Sequence, residues 1–479
     1  MTDSFTPPHH QTKWISQSVY EPLLSEKNLT TVFLEDMPLP PHLTRESLTL
    51  PSLSEPEIAR HYTRLSQMTY GVDSGPYLLG SCTMKYNPKF TEDLATLPGC
   101  NIHPDRNPHT IQGTLEVLYT LQEHLSTIGG MDAVTLQPPA GASGELTGIL
   151  IIRAFHESRG DSSRNEIIIP ESAHGTNPAS AAMGGYNIIE IPSNDEGRVN
   201  IDALQAALSE KTAALMLTNP NTLGLFESEI ELIASMVHKQ GGLLYYDGAN
   251  LNALVGRSRP GDMGFDIMHY NVHKTFATPH GGGGPGAGPV GVVSKLKTFL
   301  PAPIVIKTEV GFDFFTPKNT IGKVHGFHGN WLCLVKALGY ILRLGGTGLR
   351  DASATAVLNA NYLGSKIKYE IPFRPFYHEF VASSGDQDAA DVAKRLLDYG
   401  VHPPTTKWPL IVHQALLVEP TESENKTTLD KIASAFNAVA KEDSSVLKSA
   451  PLSTTAGKID QTTAARSPIF SWHSIDPSS

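Results

Sequence analysis

A lysine followed by a glycine run is the feature of this sequence best suited to covalent chemistry. Lys274 comes just after the apolar stretch 267–272, which predicts a buried strand, and shortly before the glycine-rich segment 281–286. A lysine in a site of low dielectric loses its charge readily and can then form a Schiff base with an aldehyde. Glycines let the backbone approach a ligand closely. A lone lysine at a strand end is usually a surface residue. Lys274 therefore predicts a Schiff base only if a second residue with a matching role lies nearby.

Asp247 is the carboxylate best placed to be that partner, because it ends the apolar stretch 243–246. Open α/β sheets bind their ligands at the carboxyl ends of the strands. The interval between Asp247 and Lys274 leaves room for one crossover and one further strand, which predicts that both side chains lie at the same sheet edge. A carboxylate there holds the ring nitrogen of pyridoxal phosphate protonated and so makes the ring an electron sink. The pair therefore predicts a pyridoxal phosphate site, whereas either residue alone is better explained by a turn.

Five further residues stand directly after a predicted strand or at the start of a predicted helix. They are Ala142, Ser143, Gly144, His174 and Asn219. Free N–H groups at a helix start bind phosphate, a histidine can stack on an aromatic ring, and an asparagine can reach the phenolic oxygen of the cofactor. Each signal is weak alone, since loop histidines and Gly-Ser helix starts are common. Their convergence on one edge favours a single cofactor site.

The elements that must position these residues alternate between short β-rich runs and helical ones. This alternation predicts an α/β domain with a mostly parallel, buried sheet, followed by a smaller α/β unit. The strands of the first unit are predicted at 167–169, 188–189, 215–217, 243–246, 267–272 and 290–293, and its helices at 111–128, 146–155, 201–208 and 230–237. The second unit is predicted to have strands at 378–381 and 415–418 and helices at 388–397 and 428–440.

The predicted division of the chain has three parts. Residues 1–60 form an extended, proline-rich N-terminal arm, residues 61–340 a large cofactor-binding domain, and residues 341–479 a small C-terminal domain. With 40 % hydrophobic and 18 % charged residues among 479, the chain has the composition of a globular protein with a substantial core.

Charge and composition argue against several classes of function. The formal net charge is −11 and the acidic residues are scattered, which disfavours a nucleic-acid partner. No apolar run is long enough to cross a bilayer. The sequence does not open with basic residues followed by an apolar run, so a secretory signal is not expected. The three cysteines have no metal-ligand spacing and do not suggest a disulfide framework. The chain is therefore predicted to be cytoplasmic, without a metal site and without a membrane partner.

Several motifs resemble the P-protein family of the glycine cleavage system, glycine dehydrogenase (decarboxylating). The most specific is NVHKTFATPHGGGGPGAGP at 271–289, and YDGANLNA at 246–253 is similar to the same family. The resemblance continues through 79–85, 173–178, 402–405 and 419–424 and covers nearly the whole chain. One departure, Lys407-Trp408, stands where two apolar or aromatic residues are expected. It concerns local packing only.

In this family the enzyme is one long chain or two separate subunits, and the length and lysine motif match the second subunit. The resemblance implies the type I fold of pyridoxal phosphate-dependent transferases, with a covalent Schiff base on Lys274. It implies that Asp247 is the ring-nitrogen partner, and that Lys274 and the ring-stacking His174 act in catalysis. Residues 142–144 match the phosphate-binding helix start, and His273 is expected to add a phosphate or substrate contact. The role of segment 81–85 is left open.

The implied reaction is the decarboxylation of glycine with transfer of the aminomethyl group to the lipoyl arm of the H-protein. The redox change then falls on the lipoamide and not on a nicotinamide. The implied partners are glycine, lipoylated H-protein and a first subunit of similar fold, with two copies of each subunit. Two alternatives stay open, namely another type I pyridoxal phosphate enzyme, such as an aminotransferase or desulfurase, and a non-catalytic scaffold subunit. The presence of both Lys274 and Asp247 argues against the scaffold.

Overall fold

The computed structural model describes residues 21, 24, 40–43, 53–281, 286–454 and 457–468. Most of the predicted N-terminal arm and residues 282–285 of the glycine run lie outside these ranges. The helices are α1 Glu55–Met68, α2 Phe90–Ala95, α3 Gln112–Gly129, α4 Gly141–Ser158, α5 Thr176–Met183, α6 Ile201–Ala207, α7 Ile230–Lys239, α8 Val272–Thr275, α9 Trp331–Lys366, α10 Ala389–Asp398, α11 Lys426–Val439, α12 Ser444–Ser449 and α13 Gln461–Arg466.

A seven-stranded sheet carries the larger part of the described chain. Its strands are β1 Ala133–Thr135, β2 Glu166–Pro170, β3 Asn187–Ile191, β4 Thr212–Thr218, β5 Leu243–Asp247, β6 Ile267–His269 and β7 Val290–Val292. The spatial order is β1-β7-β6-β5-β4-β2-β3. Strands β3, β2, β4, β5 and β6 are mutually parallel, and β7 runs antiparallel to both of its neighbours. The predicted mostly parallel α/β sheet is thereby confirmed.

Helices cover both faces of this sheet, which is why its central strands are apolar without alternation. All residues of β4 and β5 are buried. Leu215 and Leu217 of β4 pack in one core with α3 and α7, whereas Ala214 and Met216 pack in another core with α4. Successive strand residues point to opposite faces, so each strand contributes to both cores. The carboxyl ends of β2, β4, β5 and β6 consequently open at one edge between the helix layers.

A smaller antiparallel sheet lies in the C-terminal part and has a third apolar core with α10 and α11. Two further strands, β8 and β9, form a hairpin before it. The strands are β8 Ile304–Thr308, β9 Gly311–Phe315, β10 Phe380–Ser383, β11 Thr405–Thr406 and β12 Ala415–Val418, with the small sheet in the order β10-β12-β11.

Helix α9 joins the large and small units. Leu334 and Leu338 pack in a core of the large sheet, and Leu363 packs in the core of the small one. Gly345 interrupts the helix with a φ of 61°, a left-handed conformation that glycine adopts without strain. Among the described residues, α9 is the one helix whose length and composition would suffice to cross a membrane, and 44 % of its most apolar window is buried inside the protein. Residue 340 lies within α9, and the predicted domain division there stays a prediction.

Two predicted strands are wrong in their bounds. The stretch 267–272 is a strand only as far as His269, because the Asn271 carbonyl accepts from the N–H groups of Lys274 (3.0 Å) and Thr275 (3.1 Å) and so begins α8. Lys274 therefore lies in a short helical turn and not at the strand end itself. The strand predicted at 378–381 is β10, which begins two residues later. A short apolar run does not by itself distinguish a buried strand from a buried helical turn.

Candidate active site

Asp247 is the last residue of β5 and is 1 % exposed. Its Oδ1 accepts from the Ala249 N–H (2.9 Å), and its Oδ2 accepts from the Thr218 hydroxyl (3.3 Å). His269 Nε2 lies 3.3 Å from Oδ1, and the Asn177 amide nitrogen lies 3.1 Å from Oδ2. Strands β4 and β6, helix α5 and the turn after β5 thus each supply a contact, and these contacts fix the direction of the carboxylate.

Two buried carboxyl groups meet at this point, and they differ in charge. Burial by itself raises the pKa of Asp247, but His269, His174 and Lys274 outweigh it and lower that pKa below its usual value. Burial and the charge of Asp247 raise the pKa of the neighbouring Glu145 to about 8. Near neutral pH, Asp247 is therefore ionised and Glu145 is protonated.

His174 follows β2 and is tied to the same network. Its Nδ1 lies 2.9 Å from the Thr176 hydroxyl, and that hydroxyl donates to Glu145 Oε1 (2.6 Å). Ser180 of α5 donates to the other oxygen of Glu145 (3.0 Å). Burial lowers the pKa of His174, which therefore presents a neutral ring at the sheet edge.

Lys274 lies in α8 and is 9 % exposed. Its Nζ donates to the Ser81 carbonyl oxygen (2.8 Å). Its charge is among those that lower the pKa values of Asp247 and His174, so the three side chains are electrostatic neighbours. The structure therefore brings together the lysine, the carboxylate and the histidine that the sequence placed at one edge.

The start of α4 is open to an anion. Its N-cap, Ala140, has no side-chain cap, and the Gly144 N–H donates to the Ala140 carbonyl (2.9 Å). The N–H groups of residues 141–143 precede that first intrahelical bond and are the ones a phosphate would bind. Gly144 contributes through its small size, because a Cβ there would lie 2.6 Å from the Gly288 carbonyl oxygen.

The remaining two predicted residues lie near this group in different settings. Asn219 is fully buried, and its Oδ1 accepts from the Glu227 N–H (2.9 Å), while its Nδ2 has no hydrogen-bond partner within the described part of the chain. His273 packs perpendicular to His280, with ring centroids 5.0 Å apart. Burial, followed by the effects of His280 and Lys274, lowers the pKa of His273 to about 3. Its predicted phosphate or substrate contact stays a prediction.

Two family models match the chain at these residues. A model described as aminotransferase class-V matches residues 148–283, which include His174, Asp247 and Lys274. A model described as glycine dehydrogenase, C-terminal domain, matches residues 352–457, which include the small sheet. The two matches together span both units of the fold.

Curated relatives align along nearly the full length. The chain is 68 % identical over 457 residues to the probable glycine dehydrogenase (decarboxylating) subunit 2 of Halobacterium salinarum, covering 95 % of this chain and 96 % of the relative. The relative of the same name from Pyrococcus abyssi is 54 % identical, with 91 % of each chain covered. The chain belongs to the glycine dehydrogenase (decarboxylating) subunit 2 family.

Solved structures agree with this family in their fold. A glycine decarboxylase (P-protein) of the glycine cleavage system, in an inhibitor-bound form, superposes with a TM-score of 0.70 at 20 % identity, covering 84 % of this chain and 93 % of that one. Glutamate decarboxylase from Lactobacillus brevis gives a TM-score of 0.64 at 13 % identity, covering 85 % and 97 %. The chain therefore has the predicted type I fold of pyridoxal phosphate-dependent transferases.

The side chains at the sheet edge fit pyridoxal phosphate on their own chemistry. The ionised Asp247 carboxylate suits a protonated ring nitrogen, and the neutral His174 suits a flat ring. Among the described residues Asn219 Nδ2 has no partner, and a ring oxygen would satisfy this buried donor and remove the cost of an unmade hydrogen bond. Lys274 supplies the amine, and the open start of α4 supplies N–H donors for the phosphate.

Sequence reasoning missed several residues that shape the site. They are Lys85, Glu145, Asn177, His269, Glu379 and Glu419. Glu145 and Asn177 stand inside segments that the sequence singled out, and His269 ends a predicted strand beside Asp247. A polar residue in an otherwise apolar strand end is a signal that could have found His269. Glu379 and Glu419 come from the small sheet, and nothing in the sequence pattern indicates that this sheet reaches Lys274.

Proposed function

We propose that this chain is the lysine-bearing subunit of a glycine dehydrogenase (decarboxylating) that transfers the aminomethyl group of glycine to the lipoyl arm of H-protein. The observation that carries the proposal is that the buried Asp247, at the end of β5, interacts electrostatically with Lys274 of α8 in a chain that belongs to this family. The proposed partners are glycine, lipoylated H-protein and a first subunit, with two copies of each subunit. The proposed compartment is the cytoplasm.

Each residue has one proposed task. Lys274 would hold pyridoxal phosphate covalently through its amine, and glycine would be the substrate. When bound, the cofactor supplies an electron sink for the electron pair that remains as the carboxylate of glycine leaves as CO₂. Asp247 would keep a proton on the ring nitrogen, and His174 would be the ring-stacking residue. The N–H groups at the start of α4, including those of Ala142 and Ser143, bind the phosphate.

The surroundings of Asp247 suit this task because they exclude water. Asp247, His269 and Asn219 are each no more than 1 % exposed. Electrostatic interactions are stronger in such a site than in water, so one fixed carboxylate has a large effect on a neighbouring ring proton. The ionised state needed for this task follows from the contacts of Asp247 with the chain itself.

Carboxyl exchange between glycine and labelled bicarbonate is the experiment that tests the function. The chain is purified with a candidate first subunit and supplied with lipoylated H-protein. We expect exchange that depends on both subunits and on H-protein. An aminotransferase would instead transfer the amino group to a 2-oxo acid without exchanging the carboxyl group. Full exchange by this chain alone as a monomer would contradict the two-subunit proposal, and amino transfer without exchange would favour the aminotransferase.

Lys274→Ala tests the covalent attachment. We expect the variant to lose the visible absorbance of the bound cofactor and to yield no cofactor-modified peptide after borohydride reduction. Lys336→Ala is the matched control, because Lys336 is also 9 % exposed but pairs with Glu92 on α2, away from Asp247. If the reduced cofactor appears on another lysine in the Lys274→Ala variant, the assignment of Lys274 is wrong.

A further inference from the structure

The segment that contacts the Lys274 amine has a strained backbone. Ser81 has a φ of 61° and Thr83 a φ of 46°. Non-glycine residues rarely adopt this left-handed region, and a β-branched residue such as Thr83 does so least readily. Such conformations persist only where surrounding contacts determine them. We call residues 80–85 the lysine loop and ask which contacts hold it.

Three carboxyl side chains of the C-terminal part bind alternate residues of the lysine loop. Glu379 Oε2 accepts from the Ser81 N–H (2.7 Å). Glu419 accepts from the Thr83 N–H (2.9 Å) and from the Thr83 hydroxyl (2.5 Å). Glu422 pairs with the Lys85 ammonium (2.5 Å). These contacts use every second residue, so the loop is held along its whole length.

The carboxylates are themselves fixed by the small sheet. Glu379 directly precedes β10 and Glu419 directly follows β12, and both are 0 % exposed. The loop packs closely on β12, because a Cβ on Gly80 would lie 2.2 Å from the Leu417 side chain and 2.6 Å from the Leu417 carbonyl oxygen. The small sheet therefore fixes the position of the loop in two ways. The side chains of Glu379 and Glu419 bind it, and the backbone of Leu417 packs against it.

The lysine loop in turn contacts α8 at two neighbouring residues. The Ser81 carbonyl accepts from Lys274 Nζ (2.8 Å), and Lys85 Nζ donates to the Thr275 carbonyl (3.0 Å). A displaced loop would therefore move the acceptor of the lysine amine and the backbone next to it together. This chain of contacts connects the small sheet to the reactive nitrogen.

A metal site is the competing explanation for the buried carboxylates, because ligand atoms of His378, Glu379 and Glu419 lie within 4.8 Å of one another. All four carboxylate oxygens of this group already accept hydrogen bonds. Those bonds come from the Ser81 N–H, the Thr83 N–H, the Thr83 hydroxyl and the Asn250 amide. The charge of Lys274 also acts on His378 and on both carboxylates. Saturated oxygens beside an ammonium group favour a positioning role over cation binding.

We propose that Glu379 and Glu419 are positioning residues for Lys274, which hold the strained lysine loop so that the Ser81 carbonyl fixes the lysine amine. The proposal rests on the proposed function in one respect, namely that Lys274 is the residue that binds the cofactor. Neither carboxylate needs to touch the cofactor or glycine. Their effect passes through the backbone of Ser81.

The test measures how fast pyridoxal phosphate attaches to Lys274 in the full chain stripped of cofactor. Attachment is followed by absorbance, and its site is found by borohydride reduction and peptide mass mapping. We expect Glu419→Gln to lower the attachment rate constant at Lys274 by about tenfold or more, since displacements of about 1 Å cost rates of that order or more. Thr83→Val, which keeps the shape and the carboxylate but removes one donor, is expected to lower it less.

Asp398→Asn is the matched control. Asp398 is a buried carboxylate of the same unit that accepts from the N–H groups of Leu452 and Ser453 (2.7 Å each) and from the Ser453 hydroxyl (2.9 Å). It therefore accepts from the same kinds of donor as Glu419, and its other oxygen pairs with Arg395 (3.0 Å). We expect Asp398→Asn to lower the melting temperature while the attachment rate constant stays within about twofold of the parent value, a bound tighter than the tenfold effect expected at Glu419.

Three outcomes are distinguishable. A tenfold loss in Glu419→Gln with a smaller loss in Thr83→Val and none in Asp398→Asn supports the proposal. Equal losses in Glu419→Gln and Asp398→Asn, or parent rates in both Glu419→Gln and Thr83→Val, would overturn it. Attachment to a lysine other than Lys274 in the parent chain would overturn the proposed function itself, which is a separate result. If Glu419→Gln does not fold, Thr83→Val and Asp398→Asn decide the matter between them.

Discussion

Two buried groups flank Lys274, and each contains one histidine and two carboxyl residues whose ligand atoms lie within 4.8 Å of one another. We call them the sheet cluster and the loop cluster. The sheet cluster is Glu145, Asp247 and His269, and the loop cluster is His378, Glu379 and Glu419. The sheet cluster is held by neighbouring strands of the large sheet and by α5, whereas the loop cluster is fixed by the small sheet and holds the lysine loop.

Each cluster contains one histidine and two carboxyl groups, but the two clusters differ in charge. In the sheet cluster, His269 contacts the Tyr245 hydroxyl (2.8 Å) and Asn271 Oδ1 (3.0 Å), and the pKa of Asp247 is lowered. In the loop cluster, neither ring nitrogen of His378 has a hydrogen bond to any described residue, and burial lowers the pKa of His378 to about 3. Burial raises the pKa values of both Glu379 and Glu419. Whether a buried carboxyl group is ionised therefore depends on the charges and hydrogen bonds around it, and not on which residue types make up its cluster.

Among substitutions in the two clusters, Asp247→Asn should have the largest effect on activity, because it removes the only carboxylate of the two clusters whose pKa is lowered. We expect the cofactor to remain bound and the rate of glycine-bicarbonate exchange to fall by about 10²-fold or more, as is typical when a preorganised electrostatic group is lost. Cofactor content is measured by absorbance and exchange with labelled bicarbonate. Exchange within a few-fold of the parent rate, with cofactor content unchanged, would show that Asp247 does not hold the ring proton.

Of the sheet cluster, Asp247 was predicted from the sequence and Glu145 stands in a segment that the sequence singled out, whereas His269 and the whole loop cluster were missed. Asp247 and the segments that contain His174 and Glu145 stand at strand ends or helix starts, and parallel neighbours bring such ends to one edge. Local pattern and sheet topology are therefore sufficient to place them. Glu379 and Glu419 also flank strands, but their contacts at Ser81 and Thr83 depend on how two separate units pack, which no local pattern reports.

The same limit explains the errors in the fold. The alternation of apolar runs predicted the central strands and most helices to within a few residues, because burial on both faces gives them long apolar stretches. It did not show that β6 ends before α8 begins, since residues 267–272 are all buried. It also gave no sign that α9 continues through residue 340 and runs from the core of the large sheet, which still includes Leu349, to that of the small sheet, which includes Ala360.

Glu145→Gln should lower activity much less than Asp247→Asn, although both residues belong to the sheet cluster. Glu145 has a pKa raised to about 8 by burial and by Asp247, so an amide replaces a group that is already uncharged at neutral pH. We expect exchange to fall by less than about tenfold, far less than for Asp247→Asn, because no ionised group is lost from the site. The residual loss reflects the poorer fit of an amide to the hydroxyls of Thr176 and Ser180 and to the Asn177 amide. A loss as large as that of Asp247→Asn would mean that Glu145 is ionised and functional.

The loop cluster should have a small but specific effect on the pH dependence of stability. Burial raises the pKa of Glu419 to about 7, against a usual value of 4.5. Between these two pH values the folded chain keeps a proton that the unfolded chain has released. The free energy of unfolding contributed by this carboxyl is therefore greatest below about pH 4.5 and is lost as pH rises through about 7. Asp247 has the opposite sign, because its pKa is lowered and its contribution is lost only as pH falls.

Glu419→Gln removes this ionisation and should reveal it. We expect the free energy of unfolding of the parent, minus that of the variant, to decrease as pH rises from about 4.5 to about 7, because only the parent must keep a proton on residue 419 to stay folded. Urea unfolding at several pH values across this range measures the difference. Glu442→Gln is the control, since the ion pair with Arg395 outweighs burial and lowers the pKa of Glu442, so its difference should stay flat across the same range. A flat difference for Glu419→Gln as well would mean that Glu419 is ionised when it binds Thr83, and that the lysine loop is held by a charged carboxylate.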